Sequence, residues 1–252
     1  IVGGGLIGVE MAEMLRTRDM DVTFLVRSPR YWGKVLPPEE ADLVGREISR
    51  HGVDLRLSTE LQEILADDSG RVRGVRTKDG EEIPCSIVAL TAGVHPIIEL
   101  VEGSPIESDK GILIDNYFAT NVPDVYAIGD CAQFRTPRPG RKPVEQLWYT
   151  AKMHGATLAR TLSGKPTEYQ PGMFFNSAKF FEIEYQTYGL TPAKTPDDLD
   201  DIYWENDAGT KSFRAHFKKD SGVLTAVTLM GIRGRHAVAE EWIEGGVRIE
   251  DV

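Results

Sequence analysis

The first 27 residues alternate between apolar runs and one stretch with helical spacing. Ile1-Val2 leads directly into three glycines at 3–5, and residues 22–26 (VTFLV) form a short apolar run without polar alternation. Such a run is typical of a parallel strand that is covered on both faces. Between these runs, apolar side chains recur at the spacing of one helix face, at Leu6, Ile7, Met11, Met14 and Leu15. The pattern predicts a strand, a glycine turn, a helix and a second strand.

Residues 37–90 predict a further helix and strand, followed by three strands that are joined by short turns. The sequence PPEE at 37–40 places proline and acidic residues in the first turn of a second predicted helix, which His51-Gly52 closes. The strands predicted after it cover 53–57, 61–65, 72–77 and 83–90, the last three being separated by the turn sequences DSG and KDG. A βαβαβ unit with an antiparallel meander predicts a Rossmann-type domain over residues 1–92.

Two further domains are predicted, over residues 93–165 and 166–252. The first has a helix at 147–162 that ends at Gly164. The second follows a linker at 166–171 and closes with a helix at 237–243. Their predicted strands cover 111–114 and 125–128 in the first domain, and 174–188, 202–204, 212–218 and 223–231 in the second. The sequence therefore predicts an α/β chain that ends in a separate α+β domain.

Composition and charge narrow the range of partners. The 252 residues carry a formal net charge of −10, which disfavours nucleic acids and anionic lipid surfaces. No apolar run approaches the ~18 residues of a membrane helix. Cys85 and Cys131 have no metal-binding or redox spacing, so we expect reduced thiols, a cytoplasmic location and no metal site. Because Ile1-Val2 is short for a strand and no initiator Met precedes it, we expect the chain to continue upstream.

The glycine spacing at the start of the chain is that of a dinucleotide-binding turn. Gly3 allows the tight turn, Gly5 lets the backbone approach a pyrophosphate, and Gly8 lets the helix pack close to the strand. The N–H groups of Leu6 and Ile7 begin the helix, where a phosphate finds hydrogen-bond donors and positive potential. The alternative is a glycine-rich turn that binds no ligand.

The choice between NAD and NADP depends on the end of the second strand. A carboxylate there would bind the ribose hydroxyls of NAD, but Val26 stands at the expected position. Arg27 and Arg30 follow, and a guanidinium suits a 2′-phosphate through bidentate hydrogen bonds. Solvated surface arginines are the alternative, and Gly8 is compatible with either nucleotide. The residues favour NADP.

Residues 120–130 (TNVPDVYAIGD) carry a second specific pattern. They predict a buried strand that ends on Gly129-Asp130, with the carboxylate at the carboxyl end of a parallel strand, where α/β sheets bind ligands. Such an Asp can accept a hydrogen bond from a polyol hydroxyl. The alternative is an Asp that caps the following turn.

This string resembles the second flavin motif of the pyridine nucleotide–disulfide oxidoreductase superfamily, in which Gly129 and Asp130 would hold the ribitol of FAD. Residues 91–96 (TAGVHP), with Ala92 and Gly93, are similar to the crossover between the NAD(P) and FAD domains, although Ile97 stands where the family often has Asn. The resemblance places Glu10 toward the nicotinamide. It covers residues 1 to about 165.

Within the superfamily the chain is similar to ferredoxin, rubredoxin and nitrite reductase-type flavin reductases. Trp148, seven residues before Gly155, would open a helix and touch the flavin through its backbone; a packing role is the alternative. The resemblance implies a Rossmann-type NAD(P)-binding domain at 1–92, the second half of an FAD-binding domain at 93–165, and an interface-type domain at 166–252. The first FAD half, with the catalytic residues near the flavin, would precede Ile1. The expected homodimer would form through the interface-type domain.

The resemblance implies hydride transfer from NAD(P)H to FAD and electron delivery to an acceptor, for example a small electron-transfer protein. A nucleotide-binding scaffold or sensor without turnover and a flavin-free dehydrogenase are the alternatives.

The remaining chemistry-bearing side chains predict no further site. The five histidines share no ligand spacing and are expected at the surface or at helix ends; they are His51, His95, His154, His216 and His236. Both cysteines are expected to pack in the interior, Cys85 at the start of a buried strand, and the aromatic residues at 174–188 in a sheet core or subunit interface.

Overall fold

The strand, glycine turn, helix and strand predicted at the start of the chain are present in the computed structural model, which describes residues 1–252. The first strand is reduced to Val2, which forms single parallel bridges with Leu25 and Leu90. Helix α1 spans Leu6–Arg16 and strand β1 spans Val22–Leu25. The buried face of α1 consists of Gly8, Val9 and Ala12 and differs from the predicted apolar positions, of which Ile7 and Met14 are exposed.

The second helix and the meander also follow the prediction. Helix α2 spans Pro38–Arg50, with Glu39 and Glu40 in its first turn. Strand β2, Val53–Arg56, pairs in parallel with β1, Val22 lying opposite Val53. The next three strands form an antiparallel sheet in the order β3-β4-β5, and they are β3 (Leu61–Ala66), β4 (Val72–Thr77) and β5 (Glu82–Pro84).

The strand predicted at 83–90 is wrong in most of its length. β5 ends at Pro84, and beyond it only Leu90 forms a bridge, the one with Val2. Ile87 and Leu90 are 61% and 62% exposed. An apolar run forms a strand only where a neighbouring backbone pairs with it along its length, and here a single bridge does so. Cys85 consequently lies half-buried after the strand and does not start one.

Residues from 175 onward form a five-stranded antiparallel sheet in the order β10-β11-β12-β9-β8. The strands are β8 (Phe175–Phe180), β9 (Ile183–Gly189), β10 (Leu199–Glu205), β11 (Ser212–Lys218) and β12 (Leu224–Met230). Helix α4, His236–Glu244, packs against β12 and β9. The bounds of β11 and β12 agree with the predicted ones to within one residue, because the turn sequence DSG marks the connection between them. The strand predicted at 174–188 is instead two strands, which turn at Phe181 with a φ of +54°, and β10 is longer than the predicted 202–204.

One hydrophobic core joins this sheet to α1, α2 and β1. Tyr31 packs edge-on against Phe24 and Phe180, with ring centroids 5.8 and 6.1 Å apart. Trp32 packs in the same way against Phe180 and Tyr185, at 5.6 and 5.7 Å. Phe180, Phe181, Tyr185 and Tyr188 are buried, which confirms the expected sheet core for these four residues.

Residues 94–176 contain the other hydrophobic core. Strand β6, Ile112–Ile114, pairs in parallel with β7, Ala132–Phe134. Helix α3 spans Trp148–Leu162, as predicted. Two short 3₁₀ segments lie at Glu99–Val101 and Gly129–Cys131. The buried residues of this core are Ile114, Phe118, Ala127, Ala132, Leu158 and Tyr169.

The strand predicted at 125–128 is wrong. Tyr126 forms only an isolated antiparallel bridge with Ala119, and the backbone reverses between them at Asp124, whose φ is +62°. The ladder with β6 is formed instead by β7, which follows the 3₁₀ turn at Gly129–Cys131. Asp130 therefore lies in a turn before a parallel strand and not at the carboxyl end of one.

The expectation for the histidines is wrong at two positions. His154 and His216 are buried, with 2% and 0% of their surface exposed. Both lie on regular elements, α3 and β11, whose inward faces carry them into the interior. A histidine with no ligand spacing is therefore not necessarily a surface residue, since an aromatic ring is also a packing group.

Contacts divide the described residues into two compact units, 1–93 together with 177–252, and 94–176. The first unit combines two separate parts of the sequence, so this division does not test the domain limits predicted at 92/93 and 165/166, which stay predictions. None of the helices is long and apolar enough to cross a membrane.

Candidate functional site

The glycine turn has the geometry of a backbone that approaches a ligand closely. Gly3 has a φ of +124°, and a Cβ there would lie 2.4 Å from the carbonyl oxygen of Thr91. A Cβ on Gly8 would lie 2.6 Å from the carbonyl oxygen of Gly3 and 2.7 Å from Cζ of Phe24. In contrast, a Cβ on Gly5 would have no atom within 4 Å. Gly3 and Gly8 are thus required by packing, whereas Gly5 borders open space.

The start of α1 presents its first backbone N–H groups without a side-chain cap. Gly5 is the N-cap residue, it accepts from Gly8 and Val9 through its carbonyl, and no acidic side chain lies in the first turn. The first N–H groups of a helix have no partner within the helix, and here they include those of Leu6 and Ile7. The helix dipole adds positive potential at the same place. Such a helix start favours an anion.

A buried tyrosine fixes the backbone of this turn. The Tyr31 hydroxyl donates a hydrogen bond to the carbonyl oxygen of Gly5 over 2.9 Å. Burial raises the pKa of Tyr31 above its usual range, and the nearby carboxylate of Glu10 adds to the effect. The hydroxyl therefore stays a donor at all ordinary pH values. Glu10 itself is exposed on α1.

A cavity of about 460 Å³ opens beside the glycine turn. This volume is in the range of small-molecule and cofactor sites. It is bordered by the glycine turn, the end of β1 and the segment at 91–93, and among its lining residues are Gly3, Gly5, Arg27, Lys34, Glu60, Ala92 and Gly93. Gly3, Gly5 and Arg27, which were predicted for the nucleotide site, thus meet at one cavity with Ala92 and Gly93, which were predicted for the crossover segment. Leu6, Ile7, Gly8 and Glu10 belong to the adjoining helix.

The two candidate arginines differ in their surroundings. Arg27 lines the cavity. Arg30 does not, and its Nε donates to Asp42 over 2.8 Å in a surface ion pair. Only Arg27 is therefore placed to meet a group in the cavity.

Sequence reasoning missed two charged residues that line the same cavity, Lys34 and Glu60. Lys34 lies in the turn that follows Trp32, whose φ of +51° and packing against two aromatic rings fix the path of the chain. Glu60 is paired with Lys78, and hydrogen bonding and charge from Lys78 lower the pKa of Glu60, with a smaller effect from Arg27. Both residues lie in connections between elements, where no periodic signal marks them.

In residues 94–176, the 3₁₀ turn at Gly129–Cys131 lies against α3. Gly129 has a φ of +75°, and a Cβ there would lie 3.8 Å from Cβ of Ala151 on the helix. Asp130 is exposed at this turn. Trp148 begins α3 and is 68% exposed, and its ring lies 5.1 Å from that of Tyr149. The start of α3 has no side-chain cap and no acidic residue in its first turn.

Beneath this turn lies a buried polar cluster that the sequence does not reveal. His154 accepts a hydrogen bond from the N–H of Gly129 through Nδ1 over 3.2 Å. Arg141 and Glu145 form a buried ion pair at 2.6 Å, and the hydroxyl of Thr150 donates to Glu145 over 3.2 Å. Arg141 and Glu145 are four residues apart but do not lie in a helix, so their spacing in the sequence does not predict that they form an ion pair.

Comparison with known proteins gives a consistent result. The sequence profile of the family described as pyridine nucleotide-disulphide oxidoreductase matches residues 1–155. The chain is 32% identical over 225 residues to the 5,5'-dehydrodivanillate O-demethylase ferredoxin reductase subunit of Sphingobium sp., covering 89% of this chain and 53% of that protein. It is 30% identical over 233 residues to rubredoxin-NAD(+) reductase of Acinetobacter baylyi, covering 92% and 56%. The chain thus spans about half the length of these relatives.

A solved structure supports the same grouping. The ferredoxin reductase for the CYP199A2 system from Rhodopseudomonas palustris superposes with a TM-score of 0.79 at 26% identity, over 91% of this chain and 55% of that one. The family profile spans the glycine turn, the segment at 91–93, the turn at Gly129–Cys131 and the start of α3. The chain therefore belongs to the pyridine nucleotide-disulphide oxidoreductase family.

Proposed function

We propose that this chain supplies the NAD(P)H-binding part and a portion of the FAD-binding part of an oxidoreductase. The enzyme would transfer hydride from NAD(P)H to FAD and pass electrons to a small electron-transfer protein. The observation that carries the proposal is the turn at Gly3–Gly8, where two glycines are needed for packing and Gly5 borders an open cavity. The relatives, named as reductases of ferredoxin and rubredoxin, support the reaction type.

At the first site, the backbone does most of the binding. The N–H groups at the start of α1 donate to the nucleotide pyrophosphate, and the absent Cβ of Gly5 leaves room for it. Arg27, which lines the cavity, would bind the 2′-phosphate of NADP through its guanidinium. Glu10, one helical turn further along α1, faces the nicotinamide end. The Tyr31 hydroxyl holds the turn in this shape through Gly5.

At the second site, Asp130 accepts a hydrogen bond from the flavin ribitol and Gly129 lets the backbone turn sharply beneath it. Trp148 opens α3 and presents backbone N–H groups to the flavin ring. Bound flavin accepts hydride and releases single electrons, a chemistry that no amino acid side chain supplies. The protein's part is to bind and orient the two cofactors.

Two other functions make different predictions for one measurement. When NADPH is added to the flavin-loaded protein without oxygen, the proposed reductase loses its visible flavin absorbance in a single turnover. A scaffold or sensor keeps an oxidised flavin, and a flavin-free dehydrogenase retains no flavin through purification. The homodimer, through residues 166–252, and the cytoplasmic location stay predictions, which sedimentation and cell fractionation would test.

Arg27→Glu is expected to shift the nucleotide preference from NADPH toward NADH by about tenfold or more. The change removes a cation from the cavity and adds an anion, which repels a 2′-phosphate but can bind ribose hydroxyls. The measurement is the dissociation constant of each nucleotide by isothermal titration. Arg30→Glu is the matched control, because Arg30 pairs with Asp42 away from the cavity and its loss should leave the ratio unchanged. Equal effects of the two variants would show that only the net charge matters.

Asp130→Ala is expected to weaken FAD binding by about tenfold and to leave the fold intact, since Asp130 is exposed and its loss opens no cavity. Asp130→Asn should retain part of the affinity, because its side-chain carbonyl still accepts a hydrogen bond. FAD affinity is measured by quenching of flavin fluorescence. Glu102→Ala removes another exposed carboxylate from the same unit and serves as the control. Unchanged affinity in Asp130→Ala would remove Asp130 from the site.

A further inference from the structure

A buried histidine lies directly beneath the turn that carries Asp130. The N–H of Gly129 points at Nδ1 of His154, 25 residues further along the chain, over 3.2 Å. This is a contact between the turn and the middle of α3, where His154 is almost completely buried. A backbone N–H aimed at Nδ1 requires a lone pair there, so the ring proton lies on Nε2.

Three aromatic rings fix the orientation of this imidazole. Its centroid lies 4.9 Å from that of Phe118, 5.5 Å from that of Phe134 and 4.7 Å from that of Tyr169. The contacts with Phe134 and Tyr169 are edge-to-face, at 81° and 90°. The ring cannot rotate without displacing one of these neighbours, so Nδ1 is held at the position that meets Gly129.

Gly129 is the residue at which such a constraint has the greatest effect. Its φ of +75° lies in the left-handed region, and the atom nearest to a Cβ added at this position would be 3.8 Å away, so the turn is not closely packed there. A glycine in an open turn samples many conformations, and a hydrogen bond to a rigid acceptor selects one of them. The next residue in the chain is Asp130, whose direction follows from the backbone of Gly129.

We propose that His154 is a positioning residue, which holds the turn at Gly129–Cys131 against α3 so that Asp130 is presented to the flavin ribitol. The inference rests on the flavin site of the proposed function and extends it to a residue that contacts no ligand. His154 acts as a neutral acceptor through Nδ1, and its ring, not its charge, sets the position of the turn.

The surroundings of His154 keep it neutral at physiological pH. Burial lowers its pKa to about 4, while Glu145 raises it and Arg141 lowers it to smaller extents. These two residues form an ion pair with each other, and Tyr169, the third titratable group near the ring, has its pKa raised to about 12 by burial. The ring is consequently neutral at pH 7 and carries one proton, and the N–H of Gly129 assigns that proton to Nε2, which leaves Nδ1 as the acceptor.

The test compares His154→Gln with His154→Leu in the full chain. A glutamine at this position can offer its carbonyl oxygen to the Gly129 N–H, whereas leucine fills similar space without an acceptor. Two quantities are measured, the FAD dissociation constant by flavin fluorescence and the hydrogen exchange rate of the Gly129 amide by NMR. Nitrogen chemical shifts of the wild-type ring report whether Nδ1 carries a proton. Arg160→Gln, at an exposed position of the same helix, is the control.

We expect an unprotonated Nδ1 at pH 7, faster exchange at Gly129 in His154→Leu, and FAD binding weakened by about tenfold in that variant. His154→Gln should restore both quantities to within about threefold of wild type, which a general packing defect would not allow. A protonated Nδ1, or FAD affinity and Gly129 exchange that are unchanged in His154→Leu, would overturn the positioning role alone. Absence of FAD binding in the wild-type chain would instead overturn the flavin site on which the role depends.

Discussion

Gly5→Ala is expected to weaken NADPH and NADH binding roughly 100-fold while changing the free energy of unfolding by about 1 kcal/mol or less. The added Cβ meets no protein atom within 4 Å, so the fold accommodates it without rearrangement. It extends instead into the space from which a pyrophosphate would reach the first N–H groups of α1. Losing two charge-assisted hydrogen bonds accounts for an effect of this size. Isothermal titration with each nucleotide measures it, and urea unfolding measures the stability.

Gly8→Ala is the matched control for this result. Its Cβ would lie 2.6 Å from the carbonyl oxygen of Gly3 and 2.7 Å from Cζ of Phe24, so helix α1 must shift away from β1. Overpacking of this kind costs about 1–3 kcal/mol, and nucleotide binding is lost along with stability. The two variants thus separate contact with the ligand from packing. Wild-type affinity in Gly5→Ala would show that the pyrophosphate does not lie on this turn.

The glycine turn also shows why part of the site could be predicted from sequence. Gly3, Gly5 and Gly8 lie within six positions, and the helix that follows has apolar residues at the spacing of one face. The interactions that determine this structure are local, so a single stretch of sequence contains them. The same reasoning held for α2, whose prolines and acidic residues mark its first turn, and for β11, whose bounds agree with the prediction residue for residue.

Prediction failed where an element depends on a distant partner. Residues 83–90 and 125–128 are apolar enough to form strands, but most of their backbone has no neighbouring strand to pair with. Asp124, with its φ of +62°, reverses the chain so that residues 118–127 bond to each other. A hydrophobic run shows that a segment is suited to the interior, and only the tertiary structure decides whether it is paired.

The candidate site likewise contains residues that local sequence predicts and residues whose place depends on distant contacts. Arg27 could be identified because it follows a recognisable strand, but its difference from Arg30 depends on Asp42 in α2. Lys34 and Glu60 reach the cavity from connecting segments, and His154 meets Gly129 across 25 residues. Each of these contacts is specified by packing, for instance of Trp32 against Phe180, and leaves no periodic pattern in the sequence.

Arg214→Met is expected to lower the free energy of unfolding at pH 8 by about 3–5 kcal/mol, because it leaves a buried carboxylate without its counter-charge. Arg214 lies on β11 and donates from Nε to Glu40 over 2.7 Å and from Nη2 to Glu39 over 2.6 Å, both at the start of α2. It also pairs with Asp201, and its guanidinium lies 4.7 Å from the ring centroid of Tyr203. Glu40 is completely buried, and its second oxygen has no hydrogen-bond partner.

The buried ion pair of Arg214 and Glu40 is expected to contribute more to the free energy of unfolding than the surface ion pairs of the same unit. Arg46→Met removes the partner of Glu205, where both side chains are partly exposed, and should cost less than about 1 kcal/mol. Both variants are measured by urea unfolding with a common m-value. The double variant Arg214→Met/Glu40→Met should recover most of the loss, since apolar side chains of similar size can replace a buried ion pair. A double variant as unstable as the single one would show that the loss comes from packing and not from charge.

The cost of Arg214→Met should also depend on pH, in a direction that follows from Glu40. Burial raises the pKa of Glu40, and Arg214 opposes that rise through its hydrogen bond and charge. Without Arg214 the pKa of Glu40 rises further above the unfolded value, so the native variant binds more protons than the unfolded chain. A group of this kind contributes full stability below its unfolded pKa and loses it as the pH rises through the folded pKa. We therefore expect the difference between wild type and Arg214→Met to be smaller at pH 5 than at pH 8, and a difference that does not change over this range would show that Glu40 is not the group left uncompensated.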